Sequence, residues 1–286
     1  MIVITGASGQ VGREVVRGLD GTGVHLRLAV HNRASAAPMI GRDIEAVEMN
    51  FADAGSIERA FSGADYLFLL TPNAEQSVQW AKQAIDIARQ VGISHIVRLS
   101  AMGAENDPPV RLLHWHYEVE QYLQNSGVPF TILRPNAFME NFLYQVDAIR
   151  REGTIYSSVG EGRISFIATK DIGLTAAEIL VTPGFTGKSY DLTGPTAVSY
   201  AEVAEAFSRA TGRKIRAIDL RDDEMRQSMR GQPEWLIDNM LELFAFFRQG
   251  GVSDIVSDAV EAITTSPPQE INAWALDHAS AFAQAA

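Results

Sequence analysis

The chain contains no cysteine, which removes disulfides, thiolate catalysis and cysteine-rich metal sites at once. Nowhere does an apolar stretch approach the roughly 20 residues that a membrane-spanning helix needs. No basic region precedes the short apolar run from Met1 to Ile4, so a secretory signal is not expected and a cytoplasmic protein is. Positive charge is scarce: 24 Lys and Arg stand against 35 Asp and Glu, a formal net charge of −11, with no basic run longer than two residues. A surface of that sign repels phosphate backbones and argues against a nucleic-acid partner. There is no HExxH, no internal repeat and no low-complexity tract, and no metal site is expected. What remains is an ordinary globular composition, 46% hydrophobic and 21% charged over 286 residues, enough for one large domain or a domain with a smaller companion.

Short apolar runs alternate with helical stretches through the first 135 residues. The runs Ile2–Thr5, Leu26–Val30, Ala46–Met49, Tyr66–Leu70, His95–Ser100 and Phe130–Arg134 read as strands buried on both faces. Between them, Val11, Val15, Val16 and Leu19 form one helical stripe, and Val78, Ala81, Ile85, Ala88 and Val91 another. Asn73 with Gln76 reads as a cap for the second helix, and Gly92 as its stop. Such alternation predicts a doubly wound parallel α/β sheet of the Rossmann type. Later the rhythm changes to helices with short strands near Gly153–Tyr156, Ser165–Ile167, Ser189–Leu192 and Ile215–Ile218. Ser199 and Glu202 form a capping box for a helix that Gly212 closes. The expected division is a dinucleotide-binding domain over residues 1–135, to which about 165–195 returns, and a mostly helical substrate-binding portion over 136–286. The stretch Glu234 to Phe247 is too apolar for a one-faced surface helix and should be covered by the fold, a partner or a substrate. Pro267 and Pro268 precede a last helix ending near Phe282, and the "RDDE" charges at 221–224 read as solvated surface.

Three glycines at three-residue spacing, Gly6, Gly9 and Gly12, follow the first strand and open the first helix. A pyrophosphate resting on backbone needs outward amides and no β-carbon in its way, and a helix N-terminus adds partial positive charge. Gly6 permits the tight turn, Gly9 the phosphate approach, and Gly12 the packing of helix on strand. Residues Gly6, Ala7, Ser8, Gly9, Gln10, Val11 and Gly12 are therefore the candidate phosphate cradle. After the second strand a carboxylate would select NAD, whereas a cation accepts the 2′-phosphate of NADP. Here stand His31, Asn32 and Arg33, with no acid before Asp43, which favours NADPH held by Asn32 and Arg33.

The G-x-x-G-x-x-G form and the ordered segments "MIVITGASGQVG", "GADYLFLLTP", "HIVRLSAMGA", "EQYLQNSGVPFTILRPNAFMENF", "TKDIG" and "GKSYDLTGP" resemble the NmrA-like atypical short-chain dehydrogenase/reductases, the group containing triphenylmethane reductase and the NADPH:quinone reductase 2 type. The resemblance runs to about residue 282. It implies that Asn50 and Phe51 lie beside the adenine, Thr71 and Pro72 near the ribose, Ser100 and Ala101 at the end of the fifth strand, and Pro135, Asn136, Ala137 and Phe138 over the nicotinamide. Met102, Leu112, Phe138, Asn141 and Phe142 are the implied substrate contacts, Asn141 following Glu140 in the family's usual "EN".

Most short-chain reductases protonate the product with a tyrosine whose pKa a lysine four residues later lowers, while a serine orients the carbonyl. Counting back from Glu120, a frequent family glutamate, the lysine position holds His116 and the tyrosine position Leu112; Tyr117 is out of register and is followed by Gln121. Ser100 survives and His116 could stand in as a proton donor, so these two are the candidate catalytic residues. His114 lies two positions from His116 and so faces elsewhere, and Trp115 reads as core. The expected function is an NADPH-dependent reductase passing hydride to a quinone, ketone or similar conjugated acceptor on a planar aromatic molecule, an aromatic polyketide intermediate included, by a monomer or homodimer. A non-catalytic NADP-binding redox sensor, which the family also contains, suits the missing tyrosine and lysine equally; a sugar-nucleotide epimerase does not, because its chemistry needs the tyrosine.

Overall fold

The computed structural model describes residues 1–283. Its strands are β1 (Ile2–Thr5), β2 (Leu26–Val30), β3 (Ile44–Glu48), β4 (Tyr66–Leu69), β5 (His95–Leu99), β6 (Phe130–Pro135), β7 (Thr154–Ser157), β8 (Lys188–Leu192) and β9 (Arg216–Asp219). Its helices are α1 (Gln10–Gly18), α2 (Ala54–Phe61), α3 (Ser77–Gln90), α4 (Arg111–Gln124), α5 (Val146–Glu152), α6 (Thr169–Val181), α7 (Tyr200–Thr211), α8 (Asp222–Ser228), α9 (Glu234–Gln249), α10 (Ala259–Thr264), α11 (Ile271–Asp277) and α12 (Ala279–Phe282). Short 3₁₀ segments cover Arg33–Met39 and Met139–Gln145.

Seven strands form one parallel sheet in the order β3-β2-β1-β4-β5-β6-β8. The chain winds outward from β1 to β3, returns, and winds the other way from β4, so the strand order reverses between β1 and β4. An open α/β sheet binds ligands at such a point, beyond the carboxyl ends of its strands. The sheet is buried on both sides, with Ile4, Phe68, Val97 and Leu133 packing under α1 and α6, and Val3, Leu67, Ile96 and Ile132 under α2, α3 and α4. A third core, built around Phe142, Phe166, Phe207, Trp274 and Phe282, joins the C-terminal elements, where β7 and β9 pair in parallel. From that later part of the chain, α6 packs on α1 and β8 pairs with β6.

Most elements follow the sequence pattern, with β3 beginning two residues earlier than its apolar run, at Ile44. The Ser199–Glu202 capping box and the left-handed Gly212 close α7 as its sequence implies. Two expectations need correction. Gln76 stands at the start of α3, but no side chain caps that helix. Residues 165–167 do not join a ladder: Ile167 makes a single parallel bridge to Phe138, and Ser165 turns to the loop near Ser253, its N–H donating to Ser253 O at 3.0 Å and its Oγ to Ile255 O at 2.7 Å. The charge run at 221–224 lies at the surface as expected, with Arg221, Asp222 and Asp223 exposed; Asp222 also accepts from Arg248 Nη2 at 2.6 Å and Ser158 Oγ at 2.8 Å, fastening α8 to α9. Along α9 only Ile237, Asn239 and Phe247 are buried; Trp235 is half-buried against Trp115 of α4, while Leu243, Phe244 and Phe246 are half-buried against the third core.

Candidate active site

At the reversal point the Thr5 side chain joins the two strand ends. Its Oγ1 donates to Leu70 O at 2.9 Å and accepts from Leu70 N at 2.8 Å. The chain then turns through Gly6 in the left-handed region, φ +63°, and Gly9 N donates back to Gly6 O at 2.9 Å. A β-carbon on Gly12 would stand 2.2 Å from Gly6 O, so the approach of α1 to this turn demands glycine. A β-carbon on the exposed Gly9 would stand 3.2 Å from Gly6 O, a tight contact that a shift of a few tenths of an ångström relieves. Gly9 is the N-cap of α1 and offers no side chain to its first amides. Ala7 and Val11 are buried supports, Ser8 is half-buried, and Gln10 is exposed. A glycine-bare turn leading into an uncapped helix start fits a pyrophosphate.

Beyond β2, Arg33 is exposed and has no ion-pair partner among the described residues. Asn32 Oδ1 accepts from Ala34 N at 2.9 Å and so fixes the turn that presents Arg33. Asn50 is exposed, its Oδ1 accepting from Ala52 N at 2.9 Å. Phe51 is buried and stacks on Trp80 with ring centroids 6.5 Å apart. Thr71 and Pro72 follow β4, half-buried and exposed respectively.

The end of β5 holds a charged cluster under α4. Ser100 Oγ donates to Glu120 Oε1 at 2.5 Å, and Arg134 Nε and Nη2 donate to the same carboxylate at 3.0 and 2.6 Å. Arg134 Nη1 also reaches Glu105 at 3.2 Å. Two residues before Ser100, Arg98 is 2% exposed; it donates from Nη1 to the carbonyls of Leu69 and Leu99, and its Nε has no partner. Burial lowers Arg98 to about 10, opposed by Glu120. His116 lies one turn before Glu120 with a buried, unpartnered Nδ1. Desolvation, then the charge of Arg98, push its imidazole down to about 3. The ring is therefore neutral near neutrality, which weighs against a proton donor at this position. His114 faces away from it, with Nδ1 2.8 Å from Asp107 Oδ1 and Nε2 3.3 Å from Glu118 Oε1.

The loop after β6 is rigidly tied. Asn136 Nδ2 donates to Ser165 Oγ and Ser253 O, both at 2.8 Å, and its Oδ1 accepts from Ala137 N at 2.8 Å. Its amide is thus consumed in holding Ala137 and Phe138, both half-buried, beside buried Pro135. Glu140 accepts from Thr169 N at 3.0 Å and Trp274 Nε1 at 3.1 Å, joining α6 to α11. Asn141 is exposed. Phe142, expected to line the pocket, is 1% exposed and surrounded by Phe166, Phe207 and Trp274, so its ring is core. Ala101 and Leu112 are half-buried and Met102 buried, between the β5 end and α4.

Sequence reasoning missed Arg98, Arg134 and Asn239. A charged residue inside the apolar run "HIVRLS" is a signal that could have found Arg98. Asn239 is 1% exposed on α9, with neither Oδ1 nor Nδ2 partnered. A concavity of ≈ 510 Å³ lies at the α4–α9 seam, lined by Asp107, Pro108, Pro109, Arg111, His114 and Glu242. No described helix is long and apolar enough to cross a membrane.

Among known proteins, the chain is 34% identical over its full length, and that of its relative, to an NAD(P)H azoreductase of Xenophilus azovorans. It is 30% identical to a (4-alkanoyl-5-oxo-2,5-dihydrofuran-3-yl)methyl phosphate reductase of Streptomyces griseus, over 99% of each chain. Among solved structures, the NADPH complex of the Escherichia coli NADPH-dependent quinone oxidoreductase matches with a TM-score of 0.88 at 25% identity, covering 97% of this chain and 99% of the other. The family model for the NmrA-like family matches residues 1–274, and the chain belongs to that family.

Proposed function

We propose that the protein is an NADPH-dependent reductase that passes hydride to a planar, conjugated small molecule such as a quinone, an azo compound or an unsaturated or aromatic ketone, an aromatic polyketide intermediate among them. It is an oxidoreductase, as its curated relatives are. The observation that carries the reading is the uncapped glycine turn at Gly6–Gly12, set where the strand order reverses.

Bound there, NADPH supplies a hydride from its dihydronicotinamide ring. The first amides of α1 hold the pyrophosphate, and Arg33, presented by the Asn32 turn, meets the 2′-phosphate. Ser100 has committed its proton to Glu120, so its oxygen offers an acceptor to the cofactor. Ala137, held by Asn136, and Phe138, bridged to Ile167, would pack against the nicotinamide. Leu112, Met102 and Phe138 give the acceptor an apolar surface, and Asn141 stands at its rim. With Leu112 in place of tyrosine and His116 neutral, the proton that completes the reduction comes from water. That suits acceptors whose oxygen or nitrogen carries the new charge by conjugation and needs little prior protonation.

Oxidation of NADPH by purified protein, followed with a panel of quinones, azo dyes and polycyclic ketones, tests the reading. Turnover with at least one class is expected. Tight NADPH binding without turnover, together with a protein partner captured in only one cofactor oxidation state, would instead establish the sensor role that the missing tyrosine and lysine also suit.

A further inference from the structure

The seam between α4 and α9 buries a polar group that nothing in the protein satisfies. Asn239 is 1% exposed, yet its Oδ1 and Nδ2 have no hydrogen-bond partner. Leaving buried polar atoms unpaired is costly, and such an orphan calls for a ligand or a specific role.

Two contacts locate this amide. Trp115 of α4 meets Trp235 of α9, ring centroids 6.1 Å apart, and Arg111 of α4 holds Glu242 of α9 at 3.1 Å. The helices therefore run antiparallel, and the two contacts bracket Asn239 on one side and Leu112 on the other. Trp235, Asn239, Glu242 and Phe246 follow helical spacing on one stripe of α9. Phe246 in turn reaches the loop after β5, since a β-carbon on Gly103 would lie 3.0 Å from its ring. Asn239 thus lies on the α9 stripe that meets the α4 turn Arg111–Trp115, which carries Leu112 at the position that tyrosine occupies in related reductases, one turn from the unpartnered Nδ1 of His116. The ≈ 510 Å³ concavity lined by Arg111, His114 and Glu242 opens at the same seam, one helical turn from Asn239. The surrounding Leu112, Trp115, Trp235 and Phe246 are half-buried side chains that a planar ligand can part.

We propose that Asn239 is the acceptor-binding residue of this reductase: its side-chain amide, buried opposite Leu112, hydrogen-bonds the carbonyl oxygen of a planar quinone or ketone. The proposal rests on the reductase reading above. The Nδ2 group donates to the oxygen of the oxidised acceptor. When hydride from NADPH, carrying two electrons, forms the new bond to the acceptor, charge gathers on that oxygen and the donated hydrogen bond strengthens. A proton from water neutralises the oxygen, giving NADP⁺ and the hydroquinone or alcohol. The new O–H is then a donor for Oδ1, so one amide complements both ends of the reaction without itself gaining or losing a proton.

The test compares wild type with Asn239→Leu, similar in size and lacking both polar atoms, using calorimetric titration of menadione and of crystal violet, a triarylmethane dye with no oxygen, into the NADP⁺-loaded protein. Asn239→Leu is expected to keep NADPH affinity within about twofold, to bind crystal violet as wild type does, and to bind menadione about tenfold more weakly. Asn239→Ala, smaller and lacking both polar atoms, serves the same comparison if the leucine variant does not fold. Unchanged menadione affinity in the variant, with a raised Tm, overturns the proposal, because that is what removing a merely structural orphan does. Absence of menadione binding to NADP⁺-loaded wild type overturns it as well. Failure of wild type to take up NADPH strikes the reductase reading itself, and the proposal falls with it.

Discussion

Ser100 Oγ and Glu120 Oε1 stand 2.5 Å apart, and the same carboxylate receives two hydrogen bonds from Arg134. The hydroxyl that orients a substrate carbonyl in tyrosine-dependent reductases is here turned inward to hold β5, α4 and β6 together. Glu120 is buried and Arg134 nearly so, which makes the cluster expensive to break from one side. Glu120→Ala should lower stability by about 3 kcal/mol, read as a fall in the denaturant midpoint, since it strands a largely buried guanidinium. A midpoint within error of wild type would show that water replaces the carboxylate freely.

The glycine turn separates binding from folding. Gly9→Ala sets its methyl 3.2 Å from Gly6 O, a tight contact that a small shift relieves, so the variant should lose less stability than Gly12→Ala while its NADPH affinity falls about tenfold or more. Gly12→Ala drives a methyl to 2.2 Å from the same oxygen, and backbone must move. It should lose roughly 1–3 kcal/mol of stability as well as affinity. Thermal melts with and without NADPH distinguish the two; equal ligand-induced shifts in Gly9→Ala and wild type would remove the cradle from the binding site.

Arg33→Ala should weaken NADPH binding about tenfold and leave NADH binding nearly unchanged, because in the proposed site the guanidinium serves only the 2′-phosphate. Parallel titrations with the two nucleotides decide it. A loss shared by both would assign Arg33 to the turn rather than to the phosphate.

His116 contributes a pH dependence of definite sign. Its folded pKa, about 3, lies below the unfolded value of 6.5, so the unfolded chain binds the extra proton first as pH falls. The stability that the neutral ring contributes is complete above 6.5 and drains away as pH drops toward 3. His116→Gln should flatten the acid side of a plot of denaturant midpoint against pH. In the wild type the His116 ring should show no NMR titration between roughly pH 5 and 8. A titration midpoint near 6.5 there would restore His116 as a proton donor.

The parallel sheet was legible because strands covered on both faces read as continuous apolar runs and their turns are marked by glycine. The glycine turn that carries the proposed phosphate cradle was legible for a local reason too, since its spacing and its place between strand and helix lie within a dozen residues. Phe142 was not, because an aromatic residue after a cofactor loop reads the same whether its ring enters a pocket or, as here, the Phe207–Trp274 core. Asn239 was invisible because its surroundings come from α4, more than a hundred residues away, and an apolar helix such as α9 does not say which face meets which neighbour. The inward turn of Ser100 was hidden likewise: Glu120 served as a register mark, and its hydrogen bonds depend on how β5, α4 and β6 assemble.

The most direct measurement is a single turnover. Protein loaded with one equivalent of NADPH is mixed, without oxygen, with excess menadione, and the near-ultraviolet absorbance of the dihydronicotinamide is followed. A stoichiometric decay faster than the same reaction free in solution, with hydroquinone formed in equal amount, is the expected result. Bound NADPH that persists, with menadione, azo dye and polycyclic ketone alike, would contradict a reductase and leave a nucleotide-binding protein in its place.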